Sequence, residues 1–378
     1  MEKFKSLVVE AYTKIYCTRD TIMFLTLDQI ETIQMDHTSR CQLACPQCAR
    51  FHGSQSTLNP YMPLSDTTVD DYKIILEPFA RDSIKLFHCG NFGDSLASPT
   101  FDASLDYCID QGVKEFKMAV NGSARSKEWW RDLAQKSNRI TVNFSIDGLE
   151  DTNHLYRVNS NFKKIMENAK AFIDAGGNAR WYFIEFEHNY HQIEEAKRIA
   201  TEMGFKQFNA KYTGRFAEQQ QTQVETKTGN VVKDKSNNHN QKDMQDIKKT
   251  YDSFEQYIEK TPITCKYKQQ RSVFIDMEMK LWPCTWMGAP AYFGPNNPQR
   301  KSFDNLYNLY GKDFNDMRKH GWDVLNHEYF TKYLDKSWND QDDKYKRIYT
   351  CGRTCGDKFE FSSGYGKNIK REAITNEI

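Results

Sequence analysis

The stretch Cys41-Gln42-Leu43-Ala44-Cys45-Pro46-Gln47-Cys48 sets three thiols at C-x3-C-x2-C, just after an alternating apolar run from Ile30 to Met35. Ten cysteines in 378 residues give this spacing by accident only about once in a hundred such chains. Positions i, i+4 and i+7 would share one helical face, so three buried apolar cysteines are the plain alternative. Pro46 argues against a helix, because proline clashes with an uninterrupted one and biases the preceding residue toward extended backbone. A loop that leaves a strand and wraps an inorganic centre fits the stretch better.

Outward from that loop, strand-like and helix-like segments alternate, the pattern of parallel strands covered by helices. The strands are expected at 29–36, 84–89, 114–120, 139–146, 179–186 and 206–212, with helices at 66–80, 101–111, 127–136, 161–175 and 191–203. Caps are expected from Ser65 or Asp66, from Ser126, and from Asn159 or Ser160, with stops at Gly112, Gly176 with Gly177, and Gly204. Units of about 30 residues match βαβ spacing, and six make a partial (β/α)6 TIM-like barrel with a lateral mouth. The fold class is therefore α/β. In such folds ligands bind at the carboxyl ends of the strands, which puts the Cys41 loop on the catalytic face.

The chain divides into an N-terminal helix and connector (1–28), the barrel (29–215), a polar bridge (216–262), a second cysteine-bearing region (263–361) and a flexible tail (362–378). Within the bridge, Thr222 to Lys233 alternates around Gly229-Asn230 and suits either a hairpin or a linker. With 39% apolar residues and a formal charge of +1, the chain has enough apolar side chains for a large core. It shows no basic footprint for nucleic acid. No apolar run is long enough to span a bilayer, and the expectation is a soluble cytoplasmic protein. Cys17, Cys89 and Cys108 stand apart from the clusters and are expected to be buried structural thiols.

Soft sulfur ligands favour zinc or an iron-sulfur cluster, and three thiolates leave one position open. His52 would complete a zinc site of three cysteines and one histidine. The loop resembles that of the radical S-adenosylmethionine (SAM) enzymes. The resemblance implies a 4Fe-4S cluster on Cys41, Cys45 and Cys48, whose open iron chelates SAM. Reductive cleavage of SAM would then give a 5′-deoxyadenosyl radical that abstracts a substrate hydrogen. Gln47 departs from the family, in which the residue before the third cysteine is commonly aromatic. Gly93-Asp94 at the end of strand two resembles the family's strand-two signature, with Ser95 where the family has proline. Asn121-Gly122 ends strand three. Ser145-Ile146-Asp147-Gly148 followed by Arg157 resembles a stretch of the SPASM and twitch branch. On that resemblance Gly93, Asp94, Asn121, Ser145, Asp147 and Arg157 bind SAM, with Arg157 as the cation for its carboxylate. For each, an ordinary turn or surface residue is the alternative.

Cys265, Cys284, Cys351 and Cys355 form a complete ligand set, for structural zinc or for a cluster. The region resembles the twitch domain, which carries one auxiliary 4Fe-4S cluster. The family's glycine before the second cysteine is Met279 here, with the spacing kept. The resemblance implies a one-electron reductant such as flavodoxin or ferredoxin, and modification of a peptide or protein. The alternatives are a dehydrogenase acting on a small molecule, such as an alcohol, sugar or nucleotide, and a non-catalytic zinc or iron-sulfur metalloprotein. Glu185, Glu187, His188 and Asn189 at the end of strand five receive no role, and no catalytic acid or base is assigned.

Overall fold

The computed structural model describes residues 24–51, 57–213, 223–233, 245–339, 341–357 and 370–373. Most of the expected N-terminal helix, Cys17 and His52 lie outside the described residues.

All six expected strands form: β1 (Thr32–Met35), β2 (Lys85–His88), β3 (Glu115–Val120), β4 (Ile140–Ser145), β5 (Asn178–Ile184) and β6 (Gln207–Lys211). They run parallel and in chain order. Helices Val69–Leu76, Phe101–Asp110, Lys127–Lys136, Phe162–Asp174 and Ile193–Met203 follow them in turn, giving a mixed α/β fold with the connectivity of a partial barrel.

Successive strand side chains point to opposite faces. Ile33, Leu86, Met118, Phe144 and Trp181 are buried on the helix side, where Trp130 packs on Phe144 with ring centroids 5.1 Å apart. The inner wall alternates with them and is mainly polar, carrying Lys117, Thr141, Asn143, Arg180, Tyr182 and Asn209. A parallel sheet covered by apolar layers on both faces would have a continuous apolar run in each strand.

The sheet continues past β1. Strand β9 (Ser272–Ile275) pairs parallel with β1, and β10 (Leu281–Trp282) pairs antiparallel with β9. At the other edge β11 (Lys370–Ala373), in the stretch expected to be a loose tail, pairs antiparallel with β6. It covers backbone groups that would otherwise be an open edge. The order of the nine strands is β10-β9-β1-β2-β3-β4-β5-β6-β11, and one apolar core runs from Ile33 and Leu86 to Trp282 and Cys351.

The polar bridge contains the hairpin: β7 (Gln223–Glu225) pairs antiparallel with β8 (Val231–Lys233), and Gly229 turns at φ +79°. Val232 is buried against Tyr156 and Phe186, and Glu187 N–H donates to the Lys233 carbonyl at 3.2 Å. The hairpin therefore covers the carboxyl end of β5.

Two caps differ from expectation. The first helix starts at Val69, where Thr68 and Asp71 form a capping box, because Ser65 and Asp66 are engaged by the Cys41 loop. Asn161 caps the fourth helix, while Asn159 turns the chain at φ +72°. Ser126 caps the third helix and Gly204 ends the fifth as expected. Among the described residues no helix is long and apolar enough to cross a membrane.

Candidate functional site

The Cys41 loop leaves β1 at its carboxyl end and is held from several sides. Thr38 Oγ1 and Arg40 Nε both donate to the Asp66 carboxylate at 2.7 Å, and the two bonds hold that carboxyl below the usual range although burial opposes them. Arg50 donates to the carbonyls of Ser39 at 2.8 Å and Leu43 at 3.1 Å. Ala44 N–H reaches the Val158 carbonyl at 3.0 Å. Between Pro46 and Cys48 the chain turns through Gln47 at φ +58°, so the stretch is a loop, as Pro46 requires. Cys45 is buried, and Cys41 and Cys48 are half-buried. Burial pushes the Cys41 thiol up to about 12, with Asp94 and Cys45 adding to the rise. A thiolate there needs a compensating cation, which a metal centre supplies.

The other candidates arrive at successive strand ends. Gly93 lies where a Cβ would stand 2.3 Å from the Thr38 carbonyl and 2.7 Å from that of Arg40. What approaches this glycine is the chain's own cysteine loop. Asp94 is buried, and its carboxylate accepts from Leu96 N–H at 3.0 Å and Asn121 N–H at 2.8 Å, bracing the ends of β2 and β3. Asn121 Nδ2 donates to Cys41 Sγ at 3.7 Å, and its Oδ1 accepts from Gln42 at 2.9 Å. Ser145 ends β4 on the inner face beside Tyr182.

Asp147 is fully buried and accepts from Arg157 Nε at 2.6 Å and Ile184 N–H at 2.7 Å. Burial acts to lower the Arg157 pKa, but Asp147 and Cys45 override it and the net shift is upward. Arg157 also counters the rise that burial imposes on Asp94. One cation thus acts on the cysteine loop, on strand two's acid and on strand four's acid.

Asn189 bonds Phe186 N–H, the Asp147 carbonyl and the Ile184 carbonyl, so it shapes the turn after β5. His188 stacks on Phe186 at 5.3 Å, and burial lowers it to about 4.

The four later thiols come together. Cys265 and Cys284 precede the short helices Lys266–Gln269 and Thr285–Gly288, and Cys351 and Cys355 share one face of the helix Tyr349–Cys355. Thr264 N–H on the Cys355 carbonyl at 3.1 Å joins the first to the last. All four line one cavity with Ile263, Trp286, Met287 and Trp338. Burial raises Cys265 to about 11, and Cys284 well above its usual value with help from Cys265, Cys351 and Cys355. Among the described residues no three ligands converge at single-ion distance; the site rests on the shared cavity and the mutual electrostatics of its thiols. The turn before it survives without glycine, since Met279 itself takes φ +62° with its side chain fully buried.

Asp36 and Asp276 were not anticipated. They follow neighbouring positions of the parallel pair β1 and β9 and are buried. Burial raises Asp36 to about 7 and Asp276 to about 6. Asn91 Nδ2 donates to Asp36 at 3.1 Å and to Thr285 Oγ1, next to Cys284, at 2.8 Å. This polar link joins the end of β1 to the second thiol site. An acid placed where a strand meets the Cys41 loop was the available signal.

No protein-family profile matches the chain, and no curated protein matches it. Among solved structures the chain is similar to Streptococcus suis SuiB bound to S-adenosylmethionine, at 15% identity over 85% of this chain and 77% of that one, TM-score 0.49. SuiB bound to precursor peptide SuiA gives 15% over 92% and 79%, TM-score 0.48. Native anSMEcpe with bound AdoMet gives 13% over 87% and 92%, TM-score 0.48.

Proposed function

We propose that this chain is a radical SAM enzyme with two 4Fe-4S clusters, one on Cys41, Cys45 and Cys48 and one on Cys265, Cys284, Cys351 and Cys355. The observation that carries the reading is the convergence of Cys41, Gln42, Asp94, Asn121, Asp147 and Arg157, from four successive strand ends, in one network around a three-thiol loop. A three-ligand loop beside an arginine suits a cluster whose open iron takes an amino acid carboxylate.

When bound, the cluster and SAM supply one-electron cleavage of SAM and abstraction of a substrate hydrogen. The chain's own residues position and shield. Arg157 presents a guanidinium oriented by Asp147, Asn121 holds Cys41 through its amide, and Gly93 lets the loop lie against β2. Ser145 and Asn121 face the SAM ribose and carboxylate in this reading. The hairpin of β7 and β8 helps keep water from the mouth. The second thiol set, enclosed and complete, serves as an electron carrier or a brace. Division of the chain into barrel, bridge and twitch region belongs to the same proposal, as do a flavodoxin- or ferredoxin-type reductant and a peptide substrate. A small-molecule substrate is the second reading.

Anaerobic reconstitution tests it. About eight irons per chain are expected, with a reduced-cluster electron paramagnetic resonance signal that changes on adding SAM. Replacing Cys41, Cys45 and Cys48 by Ala should abolish 5′-deoxyadenosine formation and leave about four irons. Zinc at both sites with no SAM response would sink the reading.

A further inference from the structure

Arg180 stands on the inner wall of the barrel at half-burial, on the face opposite Ala179 and Trp181, which pack toward the helices. Among the described residues its guanidinium has neither an ion pair nor a hydrogen bond. Two more unsatisfied groups flank it. Asn143 on β4 is its register partner, and Asn209 on β6 pairs with Tyr182, two residues further along β5. Asn143 Oδ1 and Asn209 Nδ2 are buried without a hydrogen-bond partner. Buried amide groups left unmatched are uncommon and costly. Here a guanidinium fork, an amide donor and an amide acceptor sit on three adjacent strands of one wall. The level of Arg180 is two residues, roughly 6.6 Å, below that of Ser145 on the SAM-facing rim.

We propose that Arg180, with Asn143 and Asn209, forms a subsite for a carboxylate of the substrate. The reading that this is the substrate's group rests on the radical SAM proposal. The fork donates two parallel bonds to a carboxylate, Asn209 Nδ2 donates a further one, and Asn143 Oδ1 accepts from a neighbouring N–H or O–H of the same ligand. A single unpaired cation matches a monoanion better than a phosphate dianion. The substrate is accordingly an acid with a hydrogen-bond donor beside its carboxylate, either a free small acid or an acidic side chain in a peptide.

The test is calorimetric titration of the reconstituted full-length protein with SAM present. The probes are N-acetylglycine and its neutral amide, the peptides acetyl-Gly-Glu-Gly-amide and acetyl-Gly-Gln-Gly-amide, and inorganic phosphate. At least one acidic probe should bind and its neutral counterpart should not, and the acid of the pair that binds identifies the source. Arg180→Gln should weaken that binding about ten- to hundredfold, as loss of a charged hydrogen-bonding group does, while SAM affinity holds. Equal binding of acid and amide, tighter binding of phosphate, an Arg180→Gln protein that binds like the wild type, or a matching loss of SAM affinity would each overturn the proposal. Should Arg180→Gln not fold, Asn209→Asp places a carboxylate beside Arg180 and should abolish probe binding; retained binding would overturn the proposal. Iron content and the SAM-dependent resonance signal of the wild type, measured in the same preparation, report separately on the radical SAM reading.

Discussion

Asp147 lies entirely out of solvent, with Arg157 Nε 2.6 Å away. Removing only the cation leaves a buried carboxylate uncompensated, so Arg157→Gln should lower stability by about 3–5 kcal/mol in denaturant unfolding. The double variant Asp147→Asn with Arg157→Gln should recover most of that loss. SAM affinity should stay low in both, which separates the binding role from the structural one. Met279 teaches a related lesson about single positions. A left-handed backbone costs a non-glycine residue about 1–2 kcal/mol, yet Met279 keeps φ +62° with its side chain fully buried. Burying such a side chain contributes about 1.5–3 kcal/mol, enough to offset the strain. A glycine is therefore dispensable at this turn, a trade invisible in spacing alone.

Among the elements, the Cys41 loop and the end of β2 fit together through Gly93. Gly93→Ala puts a Cβ against the Thr38 and Arg40 carbonyls, and neither backbone atom can move without shifting the loop. On the two-cluster reading that variant should lose the irons of the first site and keep about four at the second, as counted by iron analysis and resonance spectroscopy. The six parallel strands and five helices were legible in the sequence because their periods alternate cleanly and because Ser126 and Gly204 are unambiguous signals. The start of the first helix was not, since Ser65, Asp66 and Thr68 all qualify as caps, and only the fold reveals that Asp66 is taken by Thr38 and Arg40. Pairing of β9 with β1 left no local trace at all. The polar inner positions Asn143, Arg180 and Asn209 were visible as interruptions in buried strands, and read as ligand-facing they would have located the inner wall.

Across the whole molecule, buried titratable groups pull stability in opposite directions with pH. Asp36 rises from an ordinary 3.8 to about 7 on folding; the folded state then binds more protons, and its contribution is lost as pH climbs through that window. His37 falls from 6.5 to about 4 through burial; its contribution is present above 6.5 and is lost as pH falls toward 4. The two partly cancel. Asp36→Asn removes one side, so its unfolding free energy should rise more steeply than the wild type's between pH 4 and 6.5; a parallel profile in denaturant titrations would refute this. The parallel pairing of β1 with both β2 and β9 carries a last consequence, for synthesis. The partners of β1 lie far apart in the chain, and long-range parallel pairing is slow to form. While the chain emerges from the ribosome, β1 can pair with β2 early, but its other edge stays open until residue 275 is made. The Cys41 loop thus exists before the wall beside it does, and on the two-cluster reading the first site should load only once the chain has grown past residue 275.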